Sequence, residues 1–449
     1  MVKNVLLLGS GFVAKPTVDI LLENPETTVT VACRTIEKAK ALAGDKPNAR
    51  AISLDVEDEK ALDAEVSKSD LVISLIPYIY HVTVIKSGIR CKTNVLTTSY
   101  TSPAMRELDA EVKKAGITVF NEIGLDPGID HLYAVKTINE VHQKGGKIKT
   151  FYSFCGGLPA PEDSDNPLGY KFSWSSRGVL LALRNDCKYY DNGKIVEVEG
   201  KNLMASAKPY FIYPGYSFLA YGNRDSTPYR ELYGIPEAEN VLRGTLRYQG
   251  FTDFAKVLID LGFLREEELE YLQPSSTITW KEAFAKLVGA ASPDEKAILA
   301  AIDAKVTFND AVHRETVIKG FKWLGLFTDN VVVPRKNFLD TFCVLLDKLL
   351  QYEEGERDFV MLQHKFGIEW ADGTTETRTS TLADYGDPNG YSSMAKLVGT
   401  PCAVAAKFML DGVINKPGVH APLTPEFADS LREELYNKYG IYMKEKTIP

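Results

Sequence analysis

The segment that most constrains the fold is LLLGSGFVAKP at residues 6–16, an apolar run that ends in two glycines and a small alanine and passes straight into a helix-like stretch. It opens a rhythm that lasts from Lys3 to about Asn121. NVLLLG, VTVACR, AISLDV, LVISLIP, NVLTTSY and ITVFNE are short, continuous and apolar, as strands are when both faces of their sheet are covered. Between them TVDILLEN, IEKAKALA, EKALDAEVSK, HVTVIKSGIR and PAMRELDAEVKKAG carry helical periodicity. Strand and helix in alternation predict an α/β fold with a doubly wound, Rossmann-type parallel sheet.

NEIGLDPGIDH breaks that rhythm with a turn. The stretch KIKTFYSFCGGLPAPEDSDNPLGYKFSWSS, rich in glycine, proline and aromatics, predicts a second, α+β unit with long ordered loops. Residues from about 250 to 355 read as mostly helical, and DFVMLQHKFGIEWADGTTETRTSTLADYG as two strands paired around Asp372-Gly373. The final helical stretch, YSSMAKLVGTPCAVAAKFMLDGVI, is apolar enough to be buried against the first unit. At 449 residues the chain is too long for one ordinary core. The expected division is 1–130, completed by 391–449, then 131–249 with 356–390 for substrate and dimerisation, and a helical unit over 250–355.

A strand, then Gly9-Ser10-Gly11-Phe12-Val13-Ala14, then a helix is the dinucleotide-binding arrangement. Gly9 permits the tight turn, Gly11 lets backbone approach a pyrophosphate, and Ala14 keeps helix and strand close. The helix start offers unpaired N–H groups to the anion. The second strand ends on Cys33, Arg34 and Thr35, where an acidic residue would otherwise meet a free ribose 2′-hydroxyl. A guanidinium there favours a 2′-phosphate through charge-assisted hydrogen bonds, so NADP(H) is the expected cofactor. Asp55 and Val56 close the next strand beside the adenine. Ser74, Leu75 and Ile76, then Thr98 and Ser99, then Leu125, Asp126 and Pro127 follow at later strand ends and complete the crevice.

Tyr100, Asp126, His131 and Cys155 are the candidate proton handlers, and Arg224, Arg243 and Arg247, in loops rich in glycine and tyrosine, are candidate carboxylate clamps. They point to a small acidic substrate. The net charge of −8 argues against nucleic acid, which demands a basic face. No apolar run has the ~18–20 residues that span a bilayer. The six cysteines are scattered, without metal-type spacing, as reduced thiols of a cytoplasmic protein are.

GSGFVA, VACRT, LVISLIPY, NEIGLDPGIDHLYAVKTI, SFCGGLPAPEDSDNPLGYKFSWSSRGVLLALRN, KPYFIYPGY, NRDSTPY, RGTLRYQGF and LQHKFGIEWADGTTETRTSTL together resemble the saccharopine reductases, the NADP-dependent, glutamate-forming saccharopine dehydrogenases of fungal lysine biosynthesis. The resemblance spans essentially the whole chain. It implies condensation of the L-glutamate amine with the aldehyde of L-2-aminoadipate 6-semialdehyde, loss of water, and reduction of the imine by NADPH to saccharopine. It places Ser99, Tyr100 and Asp126 at the nicotinamide end, touching substrate, with Tyr100 or Asp126 moving protons and Cys155 behind them. Trp174 closes over the cofactor, and Arg224, Thr245, Leu246 and Arg247 hold substrate carboxylates. A homodimer is the expected assembly. Three rivals stay open at this point: a catabolic NAD-using relative, an imine reductase of polyamine metabolism, and an NADPH sensor without turnover.

Overall fold

A computed structural model describes residues 2–448. The first six strands, β1 (Lys3–Leu8), β2 (Thr27–Cys33), β3 (Ala49–Ser53), β4 (Leu71–Ser74), β5 (Asn94–Thr97) and β6 (Thr118–Phe120), fall where the apolar runs predict them. A second set follows: β7 (Lys147–Pro159), β8 (Cys187–Asp191), β9 (Lys194–Val198), β10 (Lys208–Tyr210), β11 (Phe218–Gly222), β12 (Asn240–Tyr248), β13 (Asp358–Glu369) and β14 (Thr375–Tyr385). Two late strands, β15 (Gly418–His420) and β16 (Lys444–Ile448), are absent from the sequence reading.

The first sheet has seven parallel strands in the order β15-β6-β5-β4-β1-β2-β3. Its two faces are buried in different cores, because successive side chains of a strand point to opposite sides. Leu6, Leu8, Val72, Val95 and Val119 pack on one side. Val5, Leu7, Val31, Ile73, Leu96 and Phe120 pack on the other.

The second sheet is mixed. Seven of its strands run β10-β11-β12-β7-β13-β14-β16, with the β8–β9 hairpin attached to β12. Phe151, Val360, Leu362 and Phe366 on one face of this sheet share a core with the first sheet. The helices Ile129–Gln143 and Ser393–Leu410 lie in that shared core. The second of these packs on the helix Ala14–Leu21, where Thr17 Oγ1 donates to the Gly399 carbonyl at 2.9 Å. A Cβ on Gly399 would lie 2.7 Å from the Val13 carbonyl, so only glycine permits so close a crossing.

The opposite face of the mixed sheet, with Phe154, Leu158 and Leu246, is covered by the predicted helical stretch. Its helices are Phe251–Leu261, Trp280–Val288, Glu295–Lys305, Ala311–Trp323 and Phe338–Leu349. Phe263, Phe284, Phe321, Phe338 and Phe342 are fully buried among them, each worth about 1.5–3 kcal/mol. No helix among the described residues is long and apolar enough to cross a membrane.

Candidate active site

The crevice lies beyond the carboxyl ends of the parallel strands, where the mixed sheet's shared face looks onto it. Gly9 has φ +110°, and a Cβ on it would sit 2.7 Å from the Leu75 carbonyl, so the turn after β1 requires glycine. At Gly11 the same test finds no atom within 4 Å, which leaves open space above an exposed loop. Phe12 is 71% exposed beside it and Val13 half-buried. The Ser10 hydroxyl donates to Cys33 Sγ at 3.3 Å, and Cys33 donates to the Thr35 carbonyl at 2.9 Å. These bonds tie the phosphate loop to the end of β2, so Arg34 and Thr35 stand exposed next to it. Open backbone, a helix start and an unburied guanidinium fit a dinucleotide bearing a 2′-phosphate. Asp55 is exposed and turns its carboxylate back to the Glu57 N–H at 3.0 Å, while Val56 is half-buried.

Two later strand ends are joined by a residue that sequence reasoning missed. His81, fully buried at the start of its helix, has Nδ1 2.9 Å from Ser74 Oγ and Nε2 2.8 Å from Ser99 Oγ. Burial pulls its pKa down to about 4, so the ring is neutral. Leu75, Ile76, Thr98 and Ser99 are half-buried around it. Nothing local marks this histidine. It sits in an amphipathic run, and both partners come from other segments.

Deeper in, Asp126 collects the candidate proton handlers. Its Oδ1 accepts from the Tyr100 hydroxyl at 2.5 Å and from Arg243 Nη2 at 2.5 Å. The same Nη2 reaches Asp130 Oδ2, also at 2.5 Å, and the guanidinium stacks 4.2 Å from the centre of the Tyr229 ring. Arg243 is therefore occupied within the protein and is no free clamp. Leu125 and Pro127 are buried on either side of Asp126. Burial raises the Tyr100 phenol well above its ordinary pKa, and burial followed by Asp126 and Asp130 raises the Cys155 thiol. Both stay protonated at neutral pH. His131, in the first turn of the helix Ile129–Gln143, is fully buried, with Nε2 2.8 Å from Glu122 and Nδ1 2.7 Å from the Tyr233 hydroxyl. It props the site and does not face the crevice. Glu122, a second missed residue, has φ +61° and holds the Thr101 N–H at 2.9 Å, next to Tyr100. Burial opposes its charge, but the His131 hydrogen bond prevails and its pKa falls to about 2.

Strand alternation puts Arg243, Thr245 and Arg247 on one side of β12 and Leu246 on the other. Leu246 is fully buried against the helical layer, so any contact it makes with a ligand runs through its backbone. Cys155 lies opposite Thr245 on the neighbouring strand β7. Arg247 differs from Arg243 in one respect that decides its role. Its guanidinium lies 4.8 Å from the Tyr170 ring and 5.1 Å from Phe251, donates to the Leu246 carbonyl, and meets no carboxylate. Its Nε, like that of Arg243, is buried without a partner among the described residues, so the missing carboxylate is what distinguishes it. A buried unpaired cation is costly, and an acidic ligand would relieve that cost. Arg224 is exposed, with φ +55°, and lies over the Tyr100 ring at 5.5 Å. Trp174, 39% exposed, stands on the loop before the helix Ser176–Ala182, close to Tyr170 in sequence. Among the described residues no group of three or more His, Cys, Asp or Glu side chains is arranged to hold a metal ion.

Comparison with known proteins places the chain in a family. Residues 5–120 match the model of the saccharopine dehydrogenase NADP binding domain, and residues 124–441 that of the saccharopine dehydrogenase C-terminal domain. The chain belongs to the saccharopine dehydrogenase family. It is 62% identical to the NADP(+), L-glutamate-forming saccharopine dehydrogenase of Saccharomyces cerevisiae over 100% of both chains, and 57% identical to that of Schizosaccharomyces pombe over 99% of both. The mitochondrial alpha-aminoadipic semialdehyde synthase of Bos taurus is 40% identical, over 99% of this chain and 48% of that one. A solved structure of the apo, histidine-tagged, L-Glu-forming Saccharomyces cerevisiae enzyme covers 100% of both chains with a TM-score of 0.92. Within this family's two matched stretches the join falls at residues 121–123, where β6 ends and Glu122 turns the chain into the Asp126 cluster.

Proposed function

We propose that the protein catalyses the NADPH-dependent reductive condensation of L-glutamate with L-2-aminoadipate 6-semialdehyde to saccharopine, reversibly, in lysine biosynthesis. The observation that carries this reading is the buried, carboxylate-free guanidinium of Arg247, on the strand that also delivers Arg243 to Asp126 and Tyr100. Saccharopine bears three carboxylates around a secondary amine, and such a ligand supplies the counter-charge Arg247 lacks. Arg224 at the mouth and the Thr245 hydroxyl beside Arg247 orient the remaining carboxylates. The names of the full-length relatives support the same substrate class.

The protein's own groups then divide the proton work. The Tyr100 hydroxyl, kept protonated by burial, donates to the departing hydroxyl of the carbinolamine. Asp126, 15% exposed, takes the proton from the condensing nitrogen and hands it across their hydrogen bond to Tyr100 as that hydroxyl protonates the departing group, so it meets the cationic imine as a carboxylate. Arg243 holds that carboxylate still between Asp130 and Tyr229. Cys155 remains a thiol behind them. Gly9 to Val13, the Leu75–Ile76 and Thr98–Ser99 strand ends, and Leu125 to Pro127 hold the dinucleotide, with Arg34 and Thr35 on its 2′-phosphate and Trp174 over its far side. Ser74, expected from sequence to join them, is fully buried with its hydroxyl on the His81 ring. NADPH, when bound, supplies the hydride that reduces the imine carbon.

Saccharopine added with NADP(+) tests the reading. Release of glutamate matched mole for mole by NADPH supports it, and equal turnover with NAD(+) favours the catabolic alternative. A two-fold dimer in the cytoplasm is the assembly and setting we infer. Sedimentation velocity and cell fractionation check them.

A further inference from the structure

We infer that His81 fixes Ser99 as a hydrogen-bond donor directed into the crevice, with Ser74 setting the direction from behind. The argument rests on counting hydrogens along the chain Ser74–His81–Ser99. Ser74 ends β4 and is fully buried, and its hydroxyl has the His81 ring as its one hydrogen-bond partner among the described residues. If His81 carried its proton on Nδ1, Ser74 would have to accept. Its own hydroxyl hydrogen would then be buried with nothing to receive it, a costly arrangement. If Ser74 donates, Nδ1 accepts and every hydrogen is placed. A neutral imidazole has one N–H, so it must then sit on Nε2.

Nε2 lies 2.8 Å from Ser99 Oγ. With Nε2–H donating there, the Ser99 oxygen is an acceptor toward the ring, and its own hydrogen is released for another oxygen. Of the three residues Ser99 alone is partly exposed, two positions beyond β5 and next to Tyr100. Its ligand is an oxygen acceptor, either the carboxamide carbonyl of the dinucleotide or a substrate carboxylate. This inference rests on the crevice being the ligand site proposed above, but the tautomer does not. His81 and Ser74 are positioning residues and touch no ligand.

The test begins with nitrogen-15 NMR of the histidine rings in the ligand-free wild-type protein, His81 being assigned by loss of its signals in His81→Gln. The expected state is Nε2 protonated and Nδ1 bare. A ring protonated on Nδ1, or on both nitrogens, at neutral pH overturns the inference whatever the enzyme's activity. Kinetics then reads the consequence. Ser74→Ala, which changes no crevice atom, is expected to weaken ligand binding about tenfold, as Ser99→Ala does. The double variant is expected to be no worse than Ser99→Ala alone. A rise in the NADP(+) dissociation constant assigns the acceptor to the dinucleotide, and a rise confined to the saccharopine KM assigns it to the substrate. Additive losses, or no loss in either constant, refute the relay. His81→Gln, whose amide can accept from Ser74 and donate to Ser99, should retain more binding than His81→Leu.

Discussion

Asp126 Oδ1 receives Arg243 and the Tyr100 hydroxyl at 2.5 Å each, so one carboxylate oxygen anchors both the cation beneath it and the phenol beside it. Removing the cation leaves Asp126 and the fully buried Asp130 facing each other without compensation. Arg243→Met is therefore expected to lower unfolding stability by about 3–5 kcal/mol in urea titration. Asp126→Asn should cost clearly less, because Asp130 still pairs with Arg243, yet should cut turnover more than a hundredfold.

Arg247 makes the opposite prediction. It has no ion pair to lose, so Arg247→Met should shift stability by no more than about 1 kcal/mol. Saccharopine binding should fall on the order of a hundredfold, since a buried charge partner is worth about 2–5 kcal/mol to a ligand. Titration with NADPH, monitored by its fluorescence, should give an almost unchanged dissociation constant.

If Arg34 holds the 2′-phosphate as proposed, it should govern the choice of coenzyme and leave substrate binding alone. Arg34→Ala should raise the NADPH dissociation constant about tenfold to a hundredfold, the worth of a charge-assisted hydrogen bond of about 1.5–3 kcal/mol. NADH affinity and the saccharopine KM measured at saturating coenzyme should hold, because Arg34 is exposed beside the glycine loop whereas Arg247 is buried on β12 of the other sheet.

Acid stability follows from groups whose folded pKa lies below the unfolded one. Glu122 falls from 4.5 to about 2, chiefly because His131 outweighs the cost of burial. The unfolded chain binds more protons across that interval, so stability is lost as pH drops from about 4.5 toward 2, by on the order of 3 kcal/mol. Burial lowers His81 from 6.5 to about 4 and His364 from 6.5 to about 3, which starts the decline near pH 6.5. Urea midpoints measured from pH 7 to pH 3 should fall continuously, and Glu122→Gln should flatten the part below pH 4.5.

The first six strands of the parallel sheet were legible because each is a short apolar run, with β1, β2, β4, β5 and β6 largely buried and β3 half-buried at the edge. The place of Arg34 was legible for a similar reason: it directly follows an apolar strand, and the structure leaves it exposed beside the glycine loop. The two late strands were not. β15 is three residues long, and all five residues of β16 are exposed at a sheet edge, so neither carries an apolar pattern. Sequence also offered Arg243 and Arg247 as equals, in loops, whereas the structure puts both on β12. What separates them is Asp126 and Asp130, which arrive from 117 and 113 residues away. His81 was hidden in the same way, since Ser74 and Ser99 find it through the fold.

The most direct test offers the purified protein NADPH, nitrogen-15-labelled L-glutamate and the semialdehyde together, and follows both coenzyme and label. The account predicts NADPH oxidation that requires both partners, one labelled saccharopine per NADPH, and far slower consumption of NADH. Oxidation without glutamate, a product lacking the label, or equal use of NADH would contradict it.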